Sequence, residues 1–97
     1  MTNRRIWKFP IDLVEEQQIK MPIGATILHV GNQMGTLTLW ALVNPLAVYA
    51  ERKIIIVGTG NEAYHIIRLP HIGTVNIPPY VWHIFDGHEV NNGARND

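Results

Sequence analysis

Short runs of alternating apolar and polar residues divide the chain, and most of them end at glycine or proline. A period of two places successive side chains on opposite faces of a strand. The pattern predicts strands at residues 5–9, 17–21, 26–30, 36–43, 52–57, 73–77 and 80–85. Because such strands recur about every ten residues, we expect an all-β domain of six to seven strands, either a small antiparallel sandwich or a partly open barrel.

Two stretches leave room for a short helix. Residues 46–51 fit a linker or one helical turn, and residues 62–68 fit a helical turn or an irregular loop. An α+β fold with one short helix is therefore the alternative. The first strand ends at Pro10, which cannot donate a ladder hydrogen bond, so we expect that strand at a sheet edge.

Residues 26–43 predict a β-hairpin, and the rest of the sheet can be organised around it. Its turn is expected at residues 31–35, where Gly and Asn supply the positive φ values that tight loops need. The core face of the second strand is predicted to be Leu37, Leu39, Ala41 and Val43. The opposite face ends in the apolar residues Trp40 and Leu42, and we expect other protein surface to cover them.

Two later predicted strands do not divide simply into one apolar and one polar face. Residues 54–57 are apolar on both faces, which is typical of a central strand covered on both sides. In residues 80–85, alternation places Trp82 and His83 on opposite faces, so only one of them can lie in the core. If His83 faces inward it needs a buried hydrogen-bond partner; if Trp82 faces inward, His83 and Phe85 lie outside.

Composition narrows the class of protein. A chain of 97 residues, 46% of them hydrophobic, is long enough for one domain with its own core. We expect that β domain to span residues 1–86 and a flexible polar tail to span residues 87–97. There is no Cys, which excludes disulfides, thiol catalysis and Cys-ligated zinc.

Charge and hydropathy bear on partners and location. Eight basic and eight acidic residues cancel, so charge gives no support for binding duplex nucleic acid. The longest apolar runs, residues 39–43 and 54–57, are too short to span a membrane. No apolar segment of signal-peptide type follows Arg4, Arg5 and Lys8. We therefore expect a cytoplasmic protein with no membrane partner.

Catalytic and metal chemistry find little support. The chain has no Ser, and no local signature marks a Thr or Asp nucleophile. Its five His do not show the spacing of a metal-binding helix motif. We expect no enzymatic activity, no metal and no cofactor.

Two places are better candidates for binding. Residues 58–61, Gly-Thr-Gly-Asn, follow a buried strand, and their backbone N–H groups can form an anion-binding nest, although a turn that merely ends the strand is the plainer interpretation. A nucleotide would add aromatic stacking and a nearby Arg. The candidate ligand-binding residues are Gly58, Thr59, Gly60, Asn61, Tyr64, Arg68, Trp82 and His83. Surplus apolar strand surface predicts self-association, most simply as a two-fold dimer, through Trp40, Leu42 and Phe85.

Several segments together resemble a known family. They are IWKFPI, EEQQIKMPIGATILHV, LWALVNP, IIIVGTGN and YVWHIF, which carry the motifs MPxGAxIL, LWALV(D/N)P, GTG and VWHxF. The order and spacing resemble a family of small uncharacterised proteins encoded by tailed phages and prophages. This chain departs from the family pattern at Asn44, where Asp is common, and at Asn61, where His is usual.

The resemblance implies a phage-encoded accessory protein that acts in the host cytoplasm. We therefore expect a non-enzymatic binding protein that sequesters or blocks a host component, by binding either a small nucleotide-type ligand or a host protein, in a role such as counter-defence. A structural or assembly accessory of the virion is the alternative.

Overall fold

The structure, a computed structural model, describes residues 3–90 and folds most of them into strands. The strands coincide with the alternating runs of the sequence, because each run can turn one apolar face toward a common core. They are β1 (Arg5–Pro10), β2 (Glu16–Pro22), β3 (Thr26–Gln33), β4 (Thr36–Val43), β5 (Tyr49–Gly58), β6 (His71–Ile77) and β7 (Tyr80–Val90).

The strands form two antiparallel sheets, with strand orders β1-β4-β3 and β2-β5-β7-β6. Neither sheet closes on itself, and β3 lies alongside β6 where the two sheets meet. This confirms the predicted all-β sandwich and the edge position of β1. The α+β alternative is wrong: β5 already begins at Tyr49, and the only helix among residues 3–90 is a three-residue 3₁₀ turn at Tyr64–Ile66. The described residues contain no helix with the length and hydropathy that a membrane crossing requires.

The predicted hairpin is β3 with β4, but its turn is tighter than expected. Gln33 pairs with Thr36, so only Met34 and Gly35 lie between the strands. Both have positive φ, 51° and 90°, which is the geometry of a two-residue hairpin turn. The Gly35 N–H also donates to Asn32 Oδ1 at 2.8 Å. Residues 31–33, predicted as turn, continue β3 because they pair with β4.

The core lies between the two sheets. The predicted core face of β4 is confirmed, since its four residues are all buried. Ile54 and Ile56 of β5 and Ile84 of β7 join the same cluster, and Trp82 packs against it. β7 therefore turns Trp82 inward and His83 outward.

The central position of β5 is also confirmed. It lies between β2 and β7, and residues 54–57 are buried on both faces. On the outer face, Ile55 lies opposite Phe85 and Val57 opposite His83. The loop of residues 59–70 returns over this face, and its Pro70 carbonyl accepts a hydrogen bond from the Asp86 N–H at 2.9 Å.

The end of β7 departs from the predicted domain boundary at residue 86. β7 runs to Val90, so the prediction of a tail is wrong for residues 87–90. Asp86, the last residue of the predicted domain, and Glu89 of the predicted tail flank Arg52, which is buried between the sheets with 6% of its surface exposed. Arg52 Nη1 lies 3.1 Å from Asp86 Oδ2, and Nη2 lies 3.7 Å from Glu89 Oε2. The rest of the predicted tail, residues 91–97, lies outside the described residues.

Candidate functional site: the 58–61 turn

The 58–61 turn forms where β5 ends, and backbone hydrogen bonds hold it against β7. The Thr59 N–H donates to the Val81 carbonyl and the Asn61 N–H to the Gly58 carbonyl, both at 3.0 Å. A Cβ on Gly58 would lie 3.0 Å from both the Trp82 ring and Asn61 Nδ2. Glycine at position 58 therefore lets the Trp82 ring and the Asn61 amide close over the end of the strand.

A chain of four polar side chains crosses the outer face of β7 and β6 beside the turn. Thr59 Oγ1 lies 2.7 Å from His83 Nε2, and His83 Nδ1 lies 3.0 Å from Thr74 Oγ1. His71 Nε2 lies 3.1 Å from the same Thr74 hydroxyl. Because both ring nitrogens of His83 are bonded, its imidazole is fixed in orientation.

The first of three clefts around the turn lies on this outer face. It has a volume of about 220 Å³, and we call it the Thr59 cleft. Its polar lining comes from Thr59, Gly60, Asn61 and His83, and its apolar lining includes Phe85. Among the described residues, none that lines it carries a carboxylate or a guanidinium.

The second cleft, the Tyr80 cleft, has a volume of about 290 Å³ and is lined by Gly58, Thr59, Asn61, Tyr80, Val81 and Trp82. The rings of Tyr80 and Trp82 meet edge to face, with centroids 5.7 Å apart and planes at 60°. Tyr80 is largely exposed. The cleft thus joins an aromatic wall to the amide of Asn61.

The third cleft, the Glu15 cleft, opens at the end of the sandwich between the turn of residues 11–15 and the 58–61 turn. Its volume is about 490 Å³. Leu13, Val14 and Trp82 are among its apolar lining residues, and Glu15 and Glu62 supply its two carboxylates. It therefore combines apolar walls with negative charge.

The structure brings six of the eight predicted ligand-binding residues together. Gly58, Thr59, Gly60 and Asn61 form the turn, and Trp82 and His83 line clefts beside it. Tyr64 and Arg68 are exposed on the loop, and neither lines any of the three clefts. The prediction that they share the site therefore receives no support from the geometry.

Several residues in the clefts or bonded beside them were not among the predicted site residues. Thr74 and His71 reach His83 only through the pairing of β6 with β7, and no local sequence motif predicts the register of that pair. Glu15 approaches the turn because the Ile56 N–H donates to its carbonyl at 2.9 Å. The place of Tyr80 could have been predicted, because it lies two residues from Trp82 and hence on the same face of one strand.

The predicted self-association residues do not form one surface. Trp40 and Leu42 are half-buried on the outer face of the three-stranded sheet, where Leu42 lies opposite Ile6. Phe85 lies on the outer face of the other sheet, against the His71 ring at 5.2 Å. A single two-fold interface cannot contain all three, because it joins the same face of both subunits and these residues lie on opposite faces.

The described residues contain no cluster suited to a metal ion, and most of the chain matches a family model. Within residues 3–90, no three His, Cys, Asp or Glu side chains lie close enough together to hold a metal ion. The family model described as a domain of unknown function, DUF7352, matches residues 2–94. The chain belongs to the DUF7352 family. No curated protein and no solved structure matches this DUF7352 chain.

Proposed function

We propose that this DUF7352 protein is a non-enzymatic binding protein that holds a nucleotide-type ligand around the 58–61 turn. The observation that carries the proposal is the pair of clefts on either side of the turn. The Tyr80 cleft is aromatic, the Thr59 cleft adds the polar side chain of His83 to mainly apolar walls, and both contain Thr59 and Asn61. A base and its phosphate need these two environments side by side.

The Tyr80 cleft suits the base. Aromatic side chains stack on any nucleobase, because every base has a π face. Tyr80 and Trp82 supply such surfaces, and the Asn61 amide supplies both a donor and an acceptor for a base edge.

The Thr59 cleft suits the phosphate. In the structure the Thr59 hydroxyl and His83 Nε2 are bonded to each other, and the Thr59 and Asn61 N–H groups donate to carbonyls. A phosphate would take the place of the Thr59–His83 bond and accept from both side chains, and the Gly60 N–H of this glycine-containing turn is a further donor. Since none of the described residues that line this cleft carries a carboxylate, nothing there repels an anion. The acidic Glu15 cleft would repel one.

The partners of His83 support binding without turnover. Its Nδ1 is bonded to the Thr74 hydroxyl, whereas a His that activates a nucleophile is commonly supported by a carboxylate that stabilises the imidazolium. We therefore assign the Thr59–His83 pair to ligand binding. Together with the resemblance to phage proteins, this supports a role in which the protein sequesters a small nucleotide of the host cytoplasm.

Isothermal titration calorimetry with AMP, cyclic AMP, ADP, NAD and inorganic phosphate tests the proposal. At least one nucleotide should bind, and Tyr80→Leu should weaken its binding about 5- to 150-fold, which corresponds to the loss of one base–aromatic stack worth about 1–3 kcal/mol. Thr59→Val should weaken the nucleotide more than the matching nucleoside. Tyr49→Leu, a change of an exposed Tyr at the opposite end of β5, is the control. If no nucleotide binds the folded protein, the proposal is refuted.

A further inference from the structure

The Glu15 cleft is not used by the nucleotide proposal, and its chemistry differs from that of its two neighbours. Its carboxylates come from different loops: Glu15 precedes β2, and Glu62 follows the 58–61 turn. Of residues 3–90, none forms an ion pair with Glu62. The nearest basic group to Glu15 is His65, whose Nε2 lies 3.8 Å from Glu15 Oε2 and makes no hydrogen bond among the described residues.

The walls of this cleft add a second, independent property. Leu13 and Val14 are 44% and 46% exposed, which is unfavourable for aliphatic side chains in a tight turn unless something covers them. Trp82, Ile56 and Val57 also line the cleft. An aliphatic segment would bury apolar surface on these walls, and a cation would gain from the Trp ring.

We infer that the Glu15 cleft is a docking site for an arginine side chain of a partner protein. The long aliphatic stem of arginine suits the apolar walls of the cleft, and its delocalised cation suits the two carboxylates. The stem packs on Leu13 and Val14, and the guanidinium lies over Trp82 between the two carboxylates. The planar guanidinium can donate to Glu15 and Glu62 together, which a compact ammonium does less well. The opposite sign of the rim charge, and not the apolar surface alone, selects this occupant.

The inference does not depend on nucleotide binding. Glu15 and Glu62 line neither of the clefts assigned to the nucleotide, and Thr59 and His83 do not line this one. Variants on the two sides therefore separate the two proposals.

The test is an NMR titration of the full chain with a blocked Gly-Arg-Gly tripeptide, followed through the indole N–H of Trp82, which Trp82→Phe assigns. The Arg peptide should shift this resonance and the amides of Glu15 and Glu62 in a saturable manner. A matched peptide with citrulline, a neutral isostere of Arg, should produce no such shifts. The Glu15→Gln/Glu62→Gln variant should bind at least about tenfold more weakly, because both charge-assisted bonds lose their charged acceptor.

Glu16→Gln is the control variant, because Glu16 is adjacent in sequence but pairs with Lys53 outside the cleft. It should bind the Arg peptide like the original chain. Equal shifts with the citrulline peptide, or an equal loss in Glu16→Gln, would overturn the inference. So would self-association that Arg4→Gln/Arg5→Gln abolishes, since the occupant would then be a second copy of this chain. Thr59→Val should leave peptide binding unchanged even if it abolishes nucleotide binding.

Discussion

Replacing Arg52 with Met tests whether the buried ion cluster holds one end of the sandwich together. Arg52 lies on β5 and reaches three groups: Asp86 and Glu89 on β7 and the carbonyl of Ala25, the residue before β3. The residue thus connects the two sheets through one side chain. Met keeps most of the apolar stem and removes only the guanidinium.

The expected cost follows from what the guanidinium leaves behind. Removing one partner of a fully buried ion pair costs about 3–5 kcal/mol, because the remaining charge is uncompensated. Asp86 and Glu89 keep some contact with water, so we discount this to about 2–3 kcal/mol. The loss of the bond to the buried Ala25 carbonyl is included in that range. For a domain of this size, the melting temperature should fall by about 10–20 °C.

Urea unfolding followed by tryptophan fluorescence measures this cost, with Lys53→Met as the matched control. Lys53 pairs with Glu16 at 3.5 Å, but both side chains are well exposed, so its loss should cost no more than about 1 kcal/mol. In a double-mutant cycle, Asp86→Asn should cost less in the Arg52→Met background than alone, by about 1 kcal/mol or more. An Arg52→Met cost no larger than that of Lys53→Met, or fully additive effects in the cycle, would refute the reasoning.

Two further predictions concern packing and use the same unfolding measurement. A Cβ on Gly73 would lie 2.8 Å from the buried Cγ1 of Val30, so Gly73→Ala should cost about 1–2 kcal/mol. A Cβ on Gly31 meets His29 Nε2 at 3.4 Å and the Trp40 ring at 3.5 Å, which are ordinary contacts, so Gly31→Ala should be neutral or slightly stabilising. A reversed order would contradict the close approach of β3 and β6. Leu39 is fully buried at the centre of β4, so Leu39→Ala should cost about 3–4 kcal/mol, and a cost below about 1 kcal/mol would contradict its place in the core.

Alternation along single strands was enough to predict most of the fold. Alternation located the seven strands of the described residues and the core face of β4, and the unbroken apolar run at residues 54–57 indicated the central position of β5, because these features depend on the chain's own pattern. It could not locate features that depend on a distant partner. Gly31 to Gln33 look like turn residues but pair with β4, and Glu89 looks like part of a tail but lies opposite Arg52.

The candidate site likewise contains residues that the local sequence indicates and residues that only distant strand pairing brings in. Gly58 to Asn61 carry a local signal, a glycine-rich turn after an apolar run, and the structure places Trp82 and His83 beside them as expected. Arg68 looked like a ligand residue only because it follows closely in sequence, and the loop holds it away from the clefts. Thr74 is the reverse case: it is distant in sequence and ordinary in composition, yet the pairing of β6 with β7 brings it to His83.

One end of the sandwich contains the ion cluster that we expect to stabilise the fold, and the other end contains a cleft that we propose for binding. At one end the space between the sheets is filled by the Arg52 guanidinium and its carboxylate partners. At the other end, beside Trp82, the same space opens into the Glu15 cleft. If this division holds, substitutions at Arg52 should lower stability without changing the affinity of the remaining folded protein for either ligand class. Substitutions of exposed Glu15 should change binding with little effect on stability, because an exposed carboxylate contributes little to folding.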